Sequence, residues 1–478
     1  MSIEQDWERV RQTFQRLWGY TDFRSPQGEV IRGLLEQRDS LIVLPTGIGK
    51  SLCFQLPALV QSGTSLVISP LIALMTNQVQ ELQQRRLPAA TLHSQQTPSE
   101  RRRVLLALEQ GRLRLLYLAP ETLFSPPVWE RLLNPALSIR GLILDEAHTL
   151  AQWGDSFRPA YERLGAVRPA LLRSRPHNSQ FPIAAFTATA DPTTQAVVQR
   201  VLDLRQPQRV VHSPYRANLF LETRVVWTPA GRRQHLRRFL ESHRREAGLL
   251  YVTQRRQTEE IATWLQQQGW ATAAYHAGLA AQERRRLEQA WITGDLPFLV
   301  STSALGMGVN KPDTRWVVHY HPPANLLDYI QGIGRGGRDG RPAHALLLHS
   351  EPTGLLDPSE AQSRRHLRQQ LQAQFRLAHT WLPQLPQEAK LTAVQPLHPQ
   401  IEAILALLHR QGHLLWLDPF TYRLQGSRTL TALPIEMPQD IQPYLRTRHC
   451  RWAFLIQSFT QTQASTPFRC GHCDNCCR

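Results

Sequence analysis

The chain has 478 residues, of which 42% are hydrophobic, and a formal net charge of +17 from 55 Lys and Arg against 38 Asp and Glu. This length fits about two to four domains of roughly 100–200 residues, and the apolar content excludes a mainly disordered protein. No apolar run approaches the roughly 20 residues that span a bilayer, and the first residues lack the apolar core of a signal peptide. We therefore expect a cytoplasmic protein without a membrane partner, whose positive charge favours a polyanion. The only lysines are Lys50, Lys311 and Lys390.

Short apolar runs alternate with helical stretches along the first 350 residues or so. The runs lie at 41–44, 66–68, 115–118, 142–144 and 183–186, and then at 249–252, 298–300, 316–318 and 345–348. Strands that alternate with helices predict parallel sheets buried on both faces, with ligands at the carboxyl ends of the strands. We predict an α/β protein with one domain at 1–208 and a second at 209–350.

The sequence changes character after about residue 350 and becomes helix-rich. We predict a third, mostly helical region at 351–478. Within it, a helix with apolar periodicity at 400–411 precedes an alternating segment that contains the turn residues Asp418 and Pro419. A helix followed by a hairpin suggests a small winged-helix-like unit at about 396–424. A helical spacer packed on the preceding domains is the alternative.

A glycine-containing loop at 45–51 follows the first apolar run and opens a helix. Gly47 and Gly49 allow the backbone amides after Thr46 to point at phosphate oxygens, and the helix adds its positive end. Lys50 would reach the β- and γ-phosphates of a nucleotide, and Ser51 would ligate Mg²⁺.

The segment Asp-Glu-Ala-His directly follows the apolar run at 142–144 and complements this loop. We expect Asp145 to hold Mg²⁺ and Glu146 to orient and deprotonate the attacking water, with His148 in the same catalytic group. An acidic pair at a strand end is more often solvated charge, but the glycine loop weighs against that interpretation. Together the two motifs predict ATP hydrolysis.

A second glycine-rich segment, at 331–340, ends the second series of runs. It begins at Gln331 and carries Arg335 and Arg338, which would act as arginine fingers on the transferring phosphoryl group. Basic residues in a glycine-rich surface turn more often just bind water, which is the alternative.

These motifs, in this order, resemble a superfamily-2 helicase, and their details resemble the RecQ family of DNA helicases. The stretch around Tyr20, Arg24 and Gln27 resembles the family's adenine-binding motif; by that match Tyr20 stacks on adenine, Gln27 hydrogen-bonds its edge and Arg24 assists. The family's aromatic-rich loop, which couples DNA contact to hydrolysis, is matched at Gln152, Trp153, Gly154, Phe157, Arg158 and Pro159. Aromatic residues of this kind suit stacking on single-stranded bases.

Further matches extend the resemblance over about 18–350. They lie at 69–79, 117–123, 186–191, 275–279 and 301–319. Thr187 and Thr189 would link the ATP site to DNA, and Ser69, Ser301 and Thr302 are candidate phosphate contacts. One departure is Gly332, where the family usually has Glu.

Five of the six cysteines crowd the carboxyl-terminal part of the chain. The spacing of Cys470, Cys473 and Cys476 lets one turn present three thiolates to Zn²⁺. Cys450 is the obvious fourth ligand, with His472 and Cys477 as alternatives, and a redox-active or disordered cysteine tail is the competing interpretation. RecQ proteins carry a similar zinc site after the helicase domains, which places the zinc module here at about 445–478.

The resemblance implies two RecA-like parallel-sheet domains in tandem, followed by the helical zinc-binding region. It also implies an ATP-dependent DNA helicase with ATP, Mg²⁺ and Zn²⁺ as cofactors, which translocates 3′→5′ and unwinds duplexes in recombination, repair or fork maintenance. We expect a short family form without the usual carboxyl-terminal winged-helix and helical nucleic-acid-binding domains.

The expected partners are single-stranded and duplex DNA, 3′-tailed or forked, and a single-strand-binding protein. We expect a monomer at the bacterial nucleoid. A DEAH-type RNA helicase and a zinc-dependent binding or strand-annealing protein with an idle nucleotide site are the alternative functions.

Overall fold

The structure is a computed structural model that describes residues 3–45, 47–152, 158–175, 180–306, 309, 311–427, 429–430, 439–460 and 468–477. It divides into two compact units. The first unit comprises Met1–Leu44, Ile48–Val211 and Gln369–Met437, and the second comprises Pro45–Gly47, His212–Arg368 and Pro438–Arg478.

The first unit is built on a parallel sheet of seven strands. These are β1 (Ser40–Val43), β2 (Thr64–Ile68), β3 (Ala89–Leu92), β4 (Leu115–Leu118), β5 (Ile139–Leu144), β6 (Ile183–Thr187) and β7 (Gln208–Val211). Their order in the sheet is β3-β4-β2-β5-β6-β1-β7, and every pairing is parallel. Successive residues of β1 enter opposite cores, Leu41 on one face and Ile42 on the other. Burial on both faces explains why these strands are continuous apolar runs.

Helices cover both faces of this sheet. They are α1 (Ile3–Trp18), α2 (Gln27–Leu35), α3 (Lys50–Val60), α4 (Ile72–Gln84), α5 (Pro98–Glu109), α6 (Pro120–Leu123), α7 (Pro126–Leu133), α8 (Val167–Arg173) and α9 (Pro192–Val201). Two 3-10 helices, Ala147–Ala151 and Pro159–Ala166, follow β5. Local signals set several helix starts: Thr97 and Glu100 form a reciprocal capping box at α5, for example.

The second unit repeats the architecture with a parallel sheet of six strands. These are β8 (Leu219–Val226), β9 (Gly248–Tyr251), β10 (Thr272–Tyr275), β11 (Phe298–Ser301), β12 (Trp316–His319) and β13 (Ala343–Ser350), in the order β10-β11-β9-β12-β13-β8. The helices are α10 (Pro229–Ser242), α11 (Arg255–Gln267), α12 (Ala281–Thr293) and α13 (Leu326–Ile333). The two predicted sheets are therefore present, and each of the nine predicted runs overlaps one of their strands, whereas β3, β7, β8 and β10 correspond to no predicted run.

The region predicted as a third domain is divided between the two units. Helix α14 (Ser359–Trp381) contains the boundary, and the part from Gln369 onward belongs to the first unit. It continues through β14 (Glu388–Lys390), α15 (Leu391–Val394), α16 (Ile401–Arg410), β15 (Leu414–Asp418) and β16 (Thr421–Leu424). We call residues 369–427 the helix–hairpin module.

The three strands of the helix–hairpin module form a sheet in the order β14-β16-β15. The elements of the module follow the order helix, strand, helix, helix, strand, strand, and its first strand, β14, pairs with its third, β16. This is the element order of a winged helix. The module begins well before residue 396, because β14 and the end of α14 share its core, and Ala166 of the first unit joins that core.

The last part of the chain packs on the second unit instead. Helices α17 (Gln442–Arg446) and α18 (Arg451–Thr460) share a core with β8 and α13. The helix–hairpin module packs on the 3-10 helix Pro159–Ala166 and on α8 of the first unit, whereas α17 and α18 pack on the sheet of the second unit, so the two carboxyl-terminal parts belong to different units. Among the helices that the structure describes, none has an apolar stretch that could span a bilayer.

Candidate functional site

The glycine loop between β1 and α3 has the backbone that the sequence predicted. Gly47 and Gly49 have positive φ angles of 93° and 82°, a region that side chains rarely adopt. A Cβ atom at Gly49 would also lie 2.8 Å from Nε2 of Gln27. Thr46 lies outside the described residues. Helix α3 begins at Lys50, so its amino-terminal end faces this loop.

The ammonium group of Lys50 is buried beside the acidic motif. Its Nζ atom has no hydrogen-bond partner among the described residues and lies 4.0 Å from Oε1 of Glu146. A buried cation without such a partner is costly unless an anion joins it. The position is therefore suited to a phosphate group.

The side chains of Asp145 and Ser51 both accept a hydrogen bond from Gln78 of α4. Nε2 of Gln78 donates to Oγ of Ser51 over 3.2 Å and to Oδ2 of Asp145 over 3.4 Å. Two oxygens that share one donor lie where a single cation can contact both, and oxygen ligands are those that Mg²⁺ prefers. Gln78 falls within the match at 69–79, but nothing in its residue type identified it among the many glutamines of the chain.

Burial controls the charge of the Asp145 carboxyl. It raises the pKa of Asp145 to about 6; Glu146 adds to the rise, while Lys50, the backbone N–H of Glu146 and Gln78 oppose it. The carboxyl is therefore ionised at neutral pH but close to titration, and a cation bound beside it would favour its charged form.

Glu146 and His148 are held in a strained, hydrogen-bonded arrangement after β5. Glu146 has a φ angle of 54°, which is uncommon for a residue with a side chain and typical of functional sites. Nδ1 of His148 lies 3.3 Å from Oε2 of Glu146 and 3.0 Å from Oγ1 of Thr187. Thr187 in turn donates to the carbonyl of Thr189 over 2.9 Å. The acidic motif is thus connected to the 186–191 segment.

The predicted adenine motif lies against the glycine loop. Tyr20 is 56% exposed, so its ring is accessible for stacking. Gln27 is buried; its Nε2 donates to the carbonyl of Ile48 over 2.6 Å, and its Oε1 accepts from the backbone N–H of Arg24 over 2.9 Å. The Gln27 amide therefore fixes the loop backbone in this structure.

The glycine-rich segment of the second unit begins at Gln331, inside α13, and continues beyond the end of that helix. Arg335 is only 5% exposed; it donates to the carbonyl of Val309 over 3.1 Å, and its Nε has no hydrogen-bond partner among the described residues. Arg338 is half-buried and donates to the carbonyl of Gly334 over 3.3 Å.

The structure explains the departure at Gly332. A Cβ atom there would lie 2.6 Å from Nε2 of His319 and 3.4 Å from the ring of Tyr251. Burial lowers the pKa of His319 to about 3, so the ring is neutral and stacks on Tyr251 with centroids 5.2 Å apart. A glutamate at position 332 requires the His319 ring to move.

Four cysteines form a compact cluster in the second unit. The Sγ atoms of Cys450, Cys470, Cys473 and Cys476 all lie within 4.8 Å of one another. Cys470 and Cys476 are 3.9 Å apart at sulfur, close to the roughly 3.8 Å that tetrahedral Zn–S bonds of about 2.3 Å require. The cluster therefore fits Zn²⁺.

The alternative fourth ligands have other contacts. His472 lies 3.0 Å from the Tyr215 hydroxyl through Nε2 and 3.2 Å from the Leu219 carbonyl through Nδ1. Cys477 is exposed and its Sγ contacts the Gly471 carbonyl. The cluster is anchored on β8, because the adjacent Asp474 accepts from the backbone N–H and the hydroxyl of Thr223, each over 3.1 Å.

Most of the predicted aromatic-rich loop, including Trp153, Gly154 and Phe157, lies outside the described residues. Its described end, Arg158, forms two hydrogen bonds to the carboxylate of Glu121 and donates to the carbonyl of Pro70 over 2.8 Å. Arg158 thus joins the loop to the matches at 69–79 and 117–123.

Comparison with known proteins first defines the class. The protein-family model described as DEAD/DEAH box helicase matches residues 24–197. The family model described as helicase conserved C-terminal domain matches residues 231–340. In fold, the chain is similar to Dbp5 of S. cerevisiae, solved bound to RNA and ADP BeF3, with a TM-score of 0.57 and 16% identity over 75% of this chain and 90% of that one. The predicted fold class, with two RecA-like parallel-sheet domains, is confirmed.

Two relatives then define the family. The chain is 48% identical to the ATP-dependent DNA helicase RecQ of Synechocystis sp., over 98% of both chains. It is 37% identical to the ATP-dependent DNA helicase RecQ of Haemophilus influenzae, over 70% of this chain but only 52% of that protein. The chain belongs to the RecQ family of ATP-dependent DNA helicases.

Proposed function

We propose that this protein hydrolyses ATP to translocate 3′→5′ on single-stranded DNA and to unwind duplex DNA. The observation that carries the proposal is the convergence of Lys50, Ser51, Asp145 and Glu146 in the first unit: a buried ammonium 4.0 Å from Glu146, and two oxygens that share the Gln78 donor. A phosphate cradle next to an acidic pair is the arrangement that nucleotide hydrolysis requires.

Each residue has a role that its surroundings support. The glycine-loop amides and Lys50 would bind the terminal phosphates. Ser51 and Asp145 would hold Mg²⁺, which supplies positive charge to those phosphates when bound. Glu146 would orient the attacking water and accept its proton, and the contact with His148 would keep the Glu146 carboxylate aimed.

Two further groups complete the proposal for ATP. Arg335 and Arg338 would stabilise the charge on the transferring phosphoryl group, with Gln331 as a polar neighbour in the same motif. Support comes from Nε of Arg335, a buried donor without a hydrogen-bond partner among the described residues. Tyr20 would stack on adenine while Gln27 joins the base to the glycine loop, and Arg24 would orient Gln27 through its backbone N–H.

DNA is the nucleic acid along which we propose that the protein moves, in keeping with the family and with the net charge of +17. The four-cysteine cluster would hold a structural Zn²⁺, with Cys450 as the fourth ligand, because closed four-thiolate sites contribute folding energy. A preference for 3′-tailed or forked DNA, a monomeric state, a single-strand-binding partner and a place at the nucleoid stay predictions.

The test is strand displacement from duplexes with a 3′ or a 5′ single-stranded tail, in the presence of ATP and Mg²⁺. We expect displacement only with the 3′ tail, and none with Glu146→Gln, which preserves the side-chain shape but removes the base. Displacement only with the 5′ tail would refute the polarity, and absence of displacement from both would refute unwinding.

A parallel assay separates the alternative functions. Hydrolysis by the wild-type chain is measured without nucleic acid, with single-stranded DNA and with RNA of equal length. We expect DNA to stimulate turnover more than RNA does. The opposite order would favour an RNA helicase, and turnover unchanged by Glu146→Gln would favour a binding protein with an idle nucleotide site.

A further inference from the structure

The third helix of the helix–hairpin module, α16, packs against the rest of the first unit. In a helix-turn-helix or winged-helix protein, the corresponding helix normally lies in the DNA groove. Here most of α16 is buried, including Ile404, Leu405 and Leu408, and it packs against the 3-10 helix Pro159–Ala166 of the same unit. A helix that is buried almost all round has no free face with which to read DNA.

The tip of the hairpin is also used for docking. Phe420, between β15 and β16, packs on Phe124 and Trp129 with ring centroids 6.1 and 5.4 Å away. Arg163 joins the two surfaces, because it donates to the carbonyl of Pro419 over 3.3 Å and to the carboxylate of Glu402 over 3.2 Å. The two elements that winged helices commonly present to DNA are therefore both engaged with the first unit.

This interface contains a buried ion pair. Arg410, at the end of α16, is 4% exposed, and Glu162 is 1% exposed. Nε of Arg410 donates to Oε1 of Glu162 over 2.9 Å, and His409 contacts the second oxygen over 3.0 Å. Burial alone would raise the pKa of Glu162, but Arg410 and His409 outweigh it and hold the pKa below its usual range.

The same guanidinium group reaches the segment that carries the acidic motif. Its second terminal nitrogen donates to the carbonyl of Leu150, and Nη1 lies 3.5 Å from the carbonyl of Gln152. Leu150 belongs to the 3-10 helix Ala147–Ala151, which contains His148. The Arg410 side chain thus connects the 3-10 helix Ala147–Ala151 to the 3-10 helix Pro159–Ala166, which contains Glu162. In the chain, one of these helices precedes residues 153–157 and the other follows them.

We infer that the helix–hairpin module is an internal brace for ATP hydrolysis, in which Arg410 is a positioning residue. Arg410 holds the 3-10 helix Ala147–Ala151 in place through its hydrogen bond to the carbonyl of Leu150. This helix positions His148, and His148 orients the carboxylate of Glu146. The module does not act as a duplex-opening wedge. This inference rests on the proposed hydrolytic function of Glu146.

The test removes the brace without leaving a buried charge. Glu162→Met combined with Arg410→Met replaces both charges by apolar groups of similar volume, an exchange that folds often tolerate. The matched control is Glu388→Met with Arg423→Met, an exposed ion pair of 2.8 Å between β14 and β16 of the same module. For each full-length variant, kcat and KM for ATP are measured at saturating single-stranded DNA, together with the melting temperature.

We expect the Glu162/Arg410 variant to lose about tenfold in kcat, because small displacements of catalytic groups cost this much or more. Its KM for ATP stays within about twofold of wild type, because the loop at Lys50 is untouched, and the control pair changes neither parameter. Unchanged kcat in the folded variant overturns the inference, as does a rise in KM that alone accounts for the loss.

A third variant covers the case in which the double variant unfolds. Arg410→Lys keeps a cation beside Glu162 but replaces the fork by a single nitrogen, which cannot serve the carboxylate and the carbonyls together. A lower kcat at unchanged KM supports the brace, and wild-type kcat overturns it. Absence of DNA-stimulated hydrolysis in the wild-type chain would instead refute the proposed function itself.

Discussion

Replacing Gln78 by alanine tests how the protein tunes the charge of Asp145. Gln78 is the neutral donor shared by Ser51 and Asp145, over 3.2 and 3.4 Å. Its hydrogen bond favours the ionised form of the Asp145 carboxyl, whose pKa burial raises to about 6. Without this donor the pKa rises further, so a larger fraction of the enzyme is protonated, and unable to ligate Mg²⁺, at mildly acidic pH.

The size of the effect follows from the geometry. A hydrogen bond is worth a net of about 0.5–1.5 kcal/mol, and one pKa unit corresponds to about 1.4 kcal/mol. The contact to Asp145 is long, at 3.4 Å, so we expect the low end of this range and a rise of about half a pKa unit. From a starting pKa of about 6, this rise removes roughly half of the ionised enzyme at pH 6 and almost none at pH 8.

The assay is the pH dependence of kcat/KM for ATP between pH 5 and 8.5 with excess Mg²⁺, since kcat/KM reports ionisations of the free enzyme. We expect the acid limb of Gln78→Ala to lie at higher pH than that of wild type. Gln80→Ala is the control, because Gln80 is exposed on the same helix. Identical acid limbs, or an equal loss of activity at every pH, would refute the reasoning.

Two further predictions concern the second unit. Cys473→Ser should abolish stoichiometric zinc and lower the melting temperature before it lowers hydrolysis by the surviving folded protein, because a four-thiolate site contributes folding energy; equal stability with and without chelator would contradict this. Gly332→Ala should cost about 1–3 kcal/mol of unfolding free energy by overpacking, because a Cβ atom meets His319 at 2.6 Å. Chemical denaturation measures the second effect, and an unchanged midpoint would show that the ring moves freely.

The sequence predicts the central strands of the two sheets because these strands carry a strong local signal, whereas the edge strands β3, β7, β8 and β10 are not predicted. The run at 41–44 corresponds to β1, for example, and the run at 298–300 lies within β11. Strands buried on both faces must be apolar throughout, and each must be followed by a polar turn. The glycine loop and the acidic motif are equally local, so their placement after β1 and β5 follows from the sequence alone.

Contacts between distant residues carry no such signal. Glu162 and Arg410 are 248 positions apart, and each looks like an ordinary charged surface residue in the sequence. The apolar periodicity of α16 indicates that the helix is buried, but it does not say against what. For the same reason, no local pattern indicates that 369–437 and 438–478 belong to different units.

The structure also explains part of the high arginine content of the chain, which the net charge alone does not explain. Several arginines are buried rather than presented to a polyanion. Arg410 binds Glu162, Arg451 binds Asp474, Arg232 binds Asp357 and Glu360, and Arg168 binds Asp39. Each of these guanidinium groups also donates to a backbone carbonyl.

This double use is possible because guanidinium is a rigid fork with five donors, whereas an ammonium group is a compact point charge. Breaking such a pair is costly although its net stabilisation is small, so the pairs act mainly to fix which segments meet. The phosphate loop needs the opposite property, a single charge that approaches phosphate oxygens on a flexible stem. That requirement explains why Lys50 is retained in a chain that uses arginine at nearly every other basic position.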